Sequence, residues 1–210
     1  GIADQTLLWF NSDNGGLPGF GKETVGYLRG NKNLMYEGGL RVPGVIEWPE
    51  VIRKGRTTQF RACTVDIFPT LADILDLPET DWLTPQDGVS VRPLFRGEVD
   101  RRHRPLFFHH RDRGAVIVGH LKLLHQNGAY ELYDLSNDDE ETRNLYQEKD
   151  AKSQRIRQTY LDWKRGLEAS RGGKDYPERE IAAHQPGRRF WKDDPSYQPY
   201  LERFQQNVNQ

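Results

Sequence analysis

The first half of the chain alternates short apolar runs with glycine-rich polar stretches. The second half strings strand-like runs together through tight turns. Thr6-Leu7-Leu8-Trp9-Phe10 is short, bulky and flanked by turn residues, so it reads as a buried strand. A long loop follows from Asn14 to Gly39, with glycines at 15, 16, 19, 21, 26, 30, 38 and 39 and few apolar residues. Loops of that length in compact domains are usually functional or mobile. Pro43-Gly44-Val45-Ile46-Glu47-Trp48-Pro49 predicts a short strand bounded by prolines. From Thr64 to Leu77, apolar residues at 65, 67, 68, 71, 72, 74, 75 and 77 predict a helix with Asp66 and Pro69 in its first turns. Asp87-Gly88 marks a turn, and Val91 to Phe95 a short element before Gly97.

Near residue 105 the pattern changes. Leu106-Phe107-Phe108, Ala115-Val116-Ile117-Val118, Leu121-Lys122-Leu123-Leu124 and Tyr130 to Leu135 are strand-like, punctuated by Gly114, Gly119 and Asn127-Gly128. Asn-Gly between such runs is a strong hairpin signal, so a small antiparallel sheet is expected. Residues 150 to 170 are helical by pattern, with Ile156, Tyr160, Trp163 and Leu167 on one face and Arg171-Gly172-Gly173 as the stop. The tail from Lys174 is rich in proline, charge and glutamine, yet keeps Phe190, Trp191, Tyr197, Tyr200 and Phe204. It reads as an extended arm whose aromatics pack on a neighbour. The expected class is α/β, divided into residues 1–104, a sheet-plus-helix subdomain over 105–171 and an arm over 172–210.

Composition narrows the partners. At 210 residues the chain suffices for one domain and a smaller subdomain, and its 35% hydrophobic and 29% charged content is that of a surface-rich chain. No apolar run approaches the roughly 20 residues of a membrane span. A net charge of -1 gives no general pull toward nucleic acid or membrane. The single cysteine, Cys63, excludes an internal disulfide. The charge is uneven: Arg101, Arg102, His103, Arg104, His109, His110, Arg111 and Arg113 crowd one interval, ahead of the acidic run Asp138-Asp139-Glu140-Glu141. The basic interval is either a solvated surface or a face for a polyanionic substrate.

Candidate chemistry lies where the first strand meets the long loop. Loops at the carboxyl ends of strands in open α/β sheets are where ligands bind. Ser12-Asp13-Asn14-Gly15-Gly16 offers a carboxylate and an amide oxygen there, donors suited to a hard cation such as Ca²⁺ or Mg²⁺. Asp-Asn-Gly is also an ordinary turn sequence. In Gly30-Asn31-Lys32-Asn33-Leu34-Met35-Tyr36-Glu37-Gly38-Gly39-Leu40-Arg41-Val42-Pro43, Lys32 would place an ammonium near a tetrahedral oxyanion ester, with Lys22 as a competitor. Glu37 and Arg41 are expected to hold the loop by hydrogen bonds, and Gly38-Gly39 to form a tight backbone turn. Adjacent histidines on a strand point to opposite faces, so at most one of His109 and His110 faces a site. Lys122 is expected merely to project from its strand, and Asp66 to serve a helix N-terminus.

These segments resemble the sulfatase family of the alkaline-phosphatase-like superfamily, in its C-terminal half. The resemblance rests on S-D-N-G-G after an apolar strand, the G-x-K segment and Y-E-G-G-x-R-V-P. It continues through Val65-Asp66-Ile67-Phe68-Pro69-Thr70-Leu71 and Asp87-Gly88-Val89-Ser90 to Glu131-Leu132-Tyr133-Asp134-Leu135. It implies an alkaline-phosphatase-like fold ending in a small antiparallel sheet with a packed helix. It also implies that Asp13 and Asn14 are part of a Ca²⁺ site (Mg²⁺ being possible) and that Lys32 contacts the sulfate. His109, His110, Arg111 and Arg113 would then border the site mouth as substrate contacts. The family's C-x-P-S-R or S-x-P-S-R motif, whose Cys or Ser becomes formylglycine, and its early pair of aspartates are not in this sequence. The reading is therefore a sulfatase fragment, with formylglycine in a missing N-terminal half. Its substrate would be a sulfated small molecule or glycan, and its setting periplasmic, secreted or lysosomal. Two rivals stand beside it: a phosphodiesterase or phosphonate hydrolase of the same superfamily, against which Asn14 in place of histidine argues, and a noncatalytic binding or assembly module.

Overall fold

The computed structural model describes residues 1–17, 19–20, 22–82, 84–175 and 195. The predicted arm, with Phe190, Trp191, Tyr197, Tyr200 and Phe204, lies outside the described residues, and so does the side chain of Lys22.

Strand β1 (Leu8–Asn11) pairs antiparallel with β2 (Gly44–Glu47), Trp9 opposite Ile46. The strand that the sequence predicts over Thr6–Phe10 as buried is Leu8–Asn11, and it is half exposed. Thr6 instead closes a 3-10 turn, its amide donating to Ala3 O. Leu8 and Phe10 are 57% and 62% exposed. The reason is topological: among the described residues β1 and β2 form a sheet of two strands only, so the face carrying Leu8, Phe10 and Val45 has nothing over it.

The helix expected over Thr64–Leu77 begins as a 3-10 turn, Thr64–Asp66, and continues as α2 (Ile67–Ile74). Asp66 explains the start. Its side chain is fully buried, accepts from the amides of Cys63 and Val89 at 2.8 Å each, and meets Arg102 Nη1 at 2.7 Å. A buried carboxylate is tolerated because donors and a cation surround it. The expected N-terminal role of Asp66 is borne out.

Strands β3 (Leu106–His110), β4 (Arg113–Val118), β5 (Leu121–Gln126) and β6 (Ala129–Asp134) form an antiparallel meander in chain order. Asn127 and Gly128 both adopt positive φ, 52° and 74°, the backbone that a two-residue hairpin turn requires. Helix α3 (Ala151–Arg171) is capped by Asp150, which accepts from the Ser153 amide at 2.8 Å. Its Ile156 and Tyr160 pack on Val116, Leu123 and Leu132, while Trp163 stacks on Phe107 with centroids 4.7 Å apart. A Cβ on Gly114 would lie 2.0 Å from the Tyr160 hydroxyl, so only glycine lets the helix settle here.

The opposite face of the sheet positions the candidate site. Leu106, Ala115, Ile117, Leu124 and Tyr133 share one core with Met35 and Tyr36 from the end of the glycine-rich loop. Each such large side chain contributes roughly 1.5–3 kcal/mol when fully buried. Met35 and Tyr36 are 3% and 8% exposed, so packing fixes this end of the loop against the sheet.

Candidate functional site

Asp13 and Asn14 sit just beyond β1, on the wall of a cleft of about 1190 Å³ that also takes in Trp9, Val45, Leu106 and Phe108. Ser12 Oγ donates to Asn14 O at 2.9 Å and Asn14 Nδ2 donates to Gly15 O at 3.1 Å, so the loop folds on itself. Asp13 is exposed, and among the described residues its carboxylate has no hydrogen-bond or ion-pair partner. Two oxygen donors side by side fit part of a hard-cation shell, which needs about 6–8 for Ca²⁺. Among the described residues no cluster of three or more His, Cys, Asp or Glu side chains could complete it.

Three backbone hydrogen bonds bring the separate loops together. Gly15 N donates to Gly39 O at 3.0 Å, Lys32 N to Gly16 O at 2.9 Å, and Gly38 N to Arg29 O at 2.7 Å. Glycine is demanded at these crossings. An added Cβ would fall 1.8 Å from Gly38 O at position 15 and 2.4 Å from Gly30 O at position 38. The Asp13–Asn14 loop, the Lys32 loop and the Glu37–Leu40 turn are thus one backbone unit. That turn, expected as a tight glycine turn, is a single helical turn, α1 (Glu37–Leu40). Lys32 is half-buried at its edge.

Behind this unit lies a buried polar layer. Lys122, expected merely to project from its strand, instead points into the core. Its ammonium is fully buried, 2.7 Å from Glu37 Oε1 and 2.9 Å from Glu141 Oε1. The second contact is an ion pair whose angle is not that of a hydrogen bond. Glu141 Oε2 accepts the Glu37 amide at 2.6 Å. Burial drives the Glu141 carboxyl above the usual carboxylate range, and the Lys122 charge opposes this. Beside it, the Arg29 guanidinium carbon lies 3.9 Å from the Tyr36 ring centroid, and its Nη1 donates to Tyr133 Oη at 3.0 Å and Glu141 O at 2.7 Å. Burial and then the Glu131 carboxylate, which accepts from Tyr36 Oη at 2.9 Å, push the Tyr36 phenol up to about 12. Glu37 and Arg41 hold the loop as expected, Arg41 through Asp139 at 3.1 Å.

The sequence signal for this layer was the register of β5. Lys122 is two residues from Leu124 and so shares its face of the sheet, the face that packs on Met35 and Tyr36. Glu141 left no such signal, because it lies in a loop.

The basic interval divides. Arg113 Nη1 donates to Asn33 O at 3.0 Å, next to Lys32. His109 is half-buried; desolvation, then Lys164 and Arg171 on α3, hold its pKa below the ordinary value. Its Nδ1 is buried without a partner among the described residues. His110 and Arg111 are exposed at the β3–β4 turn. Arg102 is taken up by Asp66, and Arg104 by Gln86 O at 2.6 Å. Of the four expected substrate contacts, the fold draws only Arg113 against the Lys32 loop.

Comparison with known proteins agrees with this arrangement. Residues 27–162 match the family described as N-sulphoglucosamine sulphohydrolase, C-terminal. A sulfatase of Formosa agariphila is 36% identical over 169 residues, covering 70% of this chain and 30% of the relative. Human steryl-sulfatase is 34% identical over 118 residues, 52% of this chain and 20% of that enzyme. The chain therefore spans a third or less of the length of these relatives. Among solved structures, Ps i-CgsB in complex with k-i-k-neocarrahexaose superposes with a TM-score of 0.63 at 21% identity, over 84% of this chain and 43% of its own. BT4656 in complex with its substrate D-glucosamine-2-N,6-O-disulfate gives 0.57 at 22% identity, over 84% and 36%. At that identity the likeness establishes the fold, which is the α/β sulfatase fold expected from the sequence. No helix among the described residues is long and apolar enough to cross a membrane. The chain belongs to the N-sulphoglucosamine sulphohydrolase C-terminal family.

Proposed function

We propose that this chain supplies one wall of the active site of a formylglycine-dependent sulfatase that cleaves sulfate esters or N-sulfates of sugars. One observation carries the reading: the backbone bonds Gly15–Gly39 and Lys32–Gly16 lock an acidic loop and a lysine loop into one unit, in a chain of a sulfatase family. In this reading Asp13 and Asn14 give two oxygens to a Ca²⁺ ion, which acts when bound as a Lewis acid toward the sulfate oxygens. The remaining ligands and the nucleophile belong to a part of the enzyme outside this sequence, consistent with the 30% of the Formosa relative that the chain covers.

The chain's own contribution is electrostatic. The Lys32 ammonium would stabilise charge on the sulfate oxygens and on the departing ester oxygen, a role that strengthens in the transition state. Arg113 steadies the Lys32 loop through Asn33 O. His110 and Arg111, exposed at the same hairpin, are the side chains left to meet a sugar. A sugar substrate is favoured by this basic rim, and BT4656, which shares the fold, was solved with a sulfated glucosamine. The test is sulfate release from 4-nitrophenyl sulfate and from glucosamine sulfates, by the full-length enzyme that carries this chain. Release from neither class, by a protein loaded with Ca²⁺ and bearing formylglycine, contradicts the reading. Turnover of a phosphodiester in its place would favour the phosphodiesterase alternative.

A further inference from the structure

We propose that Lys122 and Glu141 are positioning residues, a buried clamp that sets the spacing of the Asp13–Asn14 loop and the Lys32 loop from 85 or more residues away in sequence. The inference rests on the sulfatase reading for its catalytic consequence, and on geometry alone for its structural one.

The clamp grips α1 at its first residue. Glu141 takes the Glu37 amide and Lys122 the Glu37 carboxylate, so both ends of Glu37 are held from the sheet side. Its position is over-determined. Glu141 is fully buried at φ 56°, a backbone region that a non-glycine residue occupies only when its surroundings impose it. Its carbonyl takes the Arg29 guanidinium, and Arg29 O in turn takes the Gly38 amide. Glu141 thus reaches α1 by two routes, one through Glu37 and one through Arg29.

Movement of α1 has nowhere to dissipate. Gly39 O holds Gly15 beside Asp13 and Asn14, and the glycine crossings bring backbone against backbone with no side chain between. A side chain at such a crossing could absorb a shift by changing rotamer, whereas two backbones in contact transmit it. Two carboxylates and one ammonium are a costly way to fill a core, since an apolar triad of similar volume is often as stable. Stability alone does not explain the arrangement, whereas holding one backbone geometry does.

Two measurements separate positioning from simple support. The first is amide hydrogen exchange in the full-length enzyme, comparing wild type, Glu141→Ala and Glu141→Gln. Glu141→Ala should speed exchange at Gly15, Lys32 and Gly38 by about tenfold or more while the amides between β4 and β5 keep their protection, because local opening governs exchange. Glu141→Gln keeps an oxygen for the Glu37 amide and should restore most of it. If Glu141→Ala does not fold, the volume-matched triple variant Glu37→Gln/Lys122→Met/Glu141→Leu carries the same readout. Unchanged exchange at the three amides in a folded variant, or loss of protection spread evenly through the sheet, overturns the proposal.

The second measurement is kinetic, in the full-length enzyme. Glu141→Ala should lower kcat about tenfold with little change in KM, as misplacement of catalytic groups does. In a Lys32→Ala background it should add little, because groups acting through one another are not additive. Full additivity overturns the proposal. A wild-type enzyme inactive on every sulfate ester overturns the sulfatase reading instead, and the exchange measurement then judges the clamp alone.

Discussion

The amide of Lys32 donates to the carbonyl of Gly16 across 2.9 Å, which ties the lysine loop to the loop bearing Asp13 and Asn14. Fifteen residues separate the two in sequence, and glycine is needed at position 16 because an added Cβ would run into Thr24.

Gly15→Ala tests the adjoining crossing, where Gly15 N donates to Gly39 O. Its Cβ would meet Gly38 O at 1.8 Å, backbone against backbone, so the loops must part. Overpacking of this kind typically costs about 1–3 kcal/mol, read as a lower urea midpoint. Gly55→Ala, where an added Cβ meets nothing within 4 Å, is the control and should stay within about 0.5 kcal/mol. Equal midpoints for the two variants would show that the loops are not locked together.

Asp66→Ala should be among the most damaging single changes outside the site. It strips two amides and the Arg102 guanidinium, itself 6% exposed, of their shared partner. Leaving a buried charge unpaired costs roughly 3–5 kcal/mol, so thermal unfolding should shift down by many degrees. A shift no larger than that of an exposed aspartate, such as Asp112→Ala, would deny Asp66 this role.

Acid stability should depend on Asp73. The Ser90 hydroxyl, and then the Arg92 guanidinium, hold its carboxyl below the ordinary 3.8. A depressed carboxyl stabilises the fold fully above the unfolded-state value and loses that contribution as pH falls through the folded-state value. Ser90→Ala should therefore lower stability above pH 4 and leave it nearly unchanged at the acid end, below both values. A loss that is the same at pH 7 and at the acid end would remove Asp73 from the account.

Much of this was legible in the sequence because the signals were local. Asn127-Gly128 set the hairpin, the apolar face with Ile156 and Tyr160 marked α3, and the strand-like runs of β3 to β6 pointed to the antiparallel sheet. Asp66 was legible as a helix-start residue. The buried status of β1 was misread, because burial of a strand depends on what covers it and not on its own residues. Lys122 was misread for a related reason. A lysine in a strand is normally solvated, and only the pairing of β5 with its neighbours shows that this one faces inward, toward two carboxylates far off in sequence. The site residues were named from motif spacing, which places Asp13, Asn14 and Lys32 on loops but says nothing of the bonds between those loops.

The chain by itself should neither hydrolyse an aryl sulfate nor bind Ca²⁺ tightly. Asp13 and Asn14 are two donors where about 6–8 are usual, and no further acidic cluster stands by among the described residues. Calorimetry on the 210-residue chain should detect no micromolar Ca²⁺ binding. Tight binding lost in Asp13→Ala would mean that the metal site is complete within this chain.

The most direct test of the central claim, that this chain brings catalytic charge to a sulfatase site, is steady-state sulfate release by the full-length enzyme with Lys32→Ala. The account predicts that kcat falls by about 10²–10³-fold with a smaller change in KM, as loss of a group acting on transition-state charge requires. An unchanged kcat in a folded Lys32→Ala enzyme would contradict it.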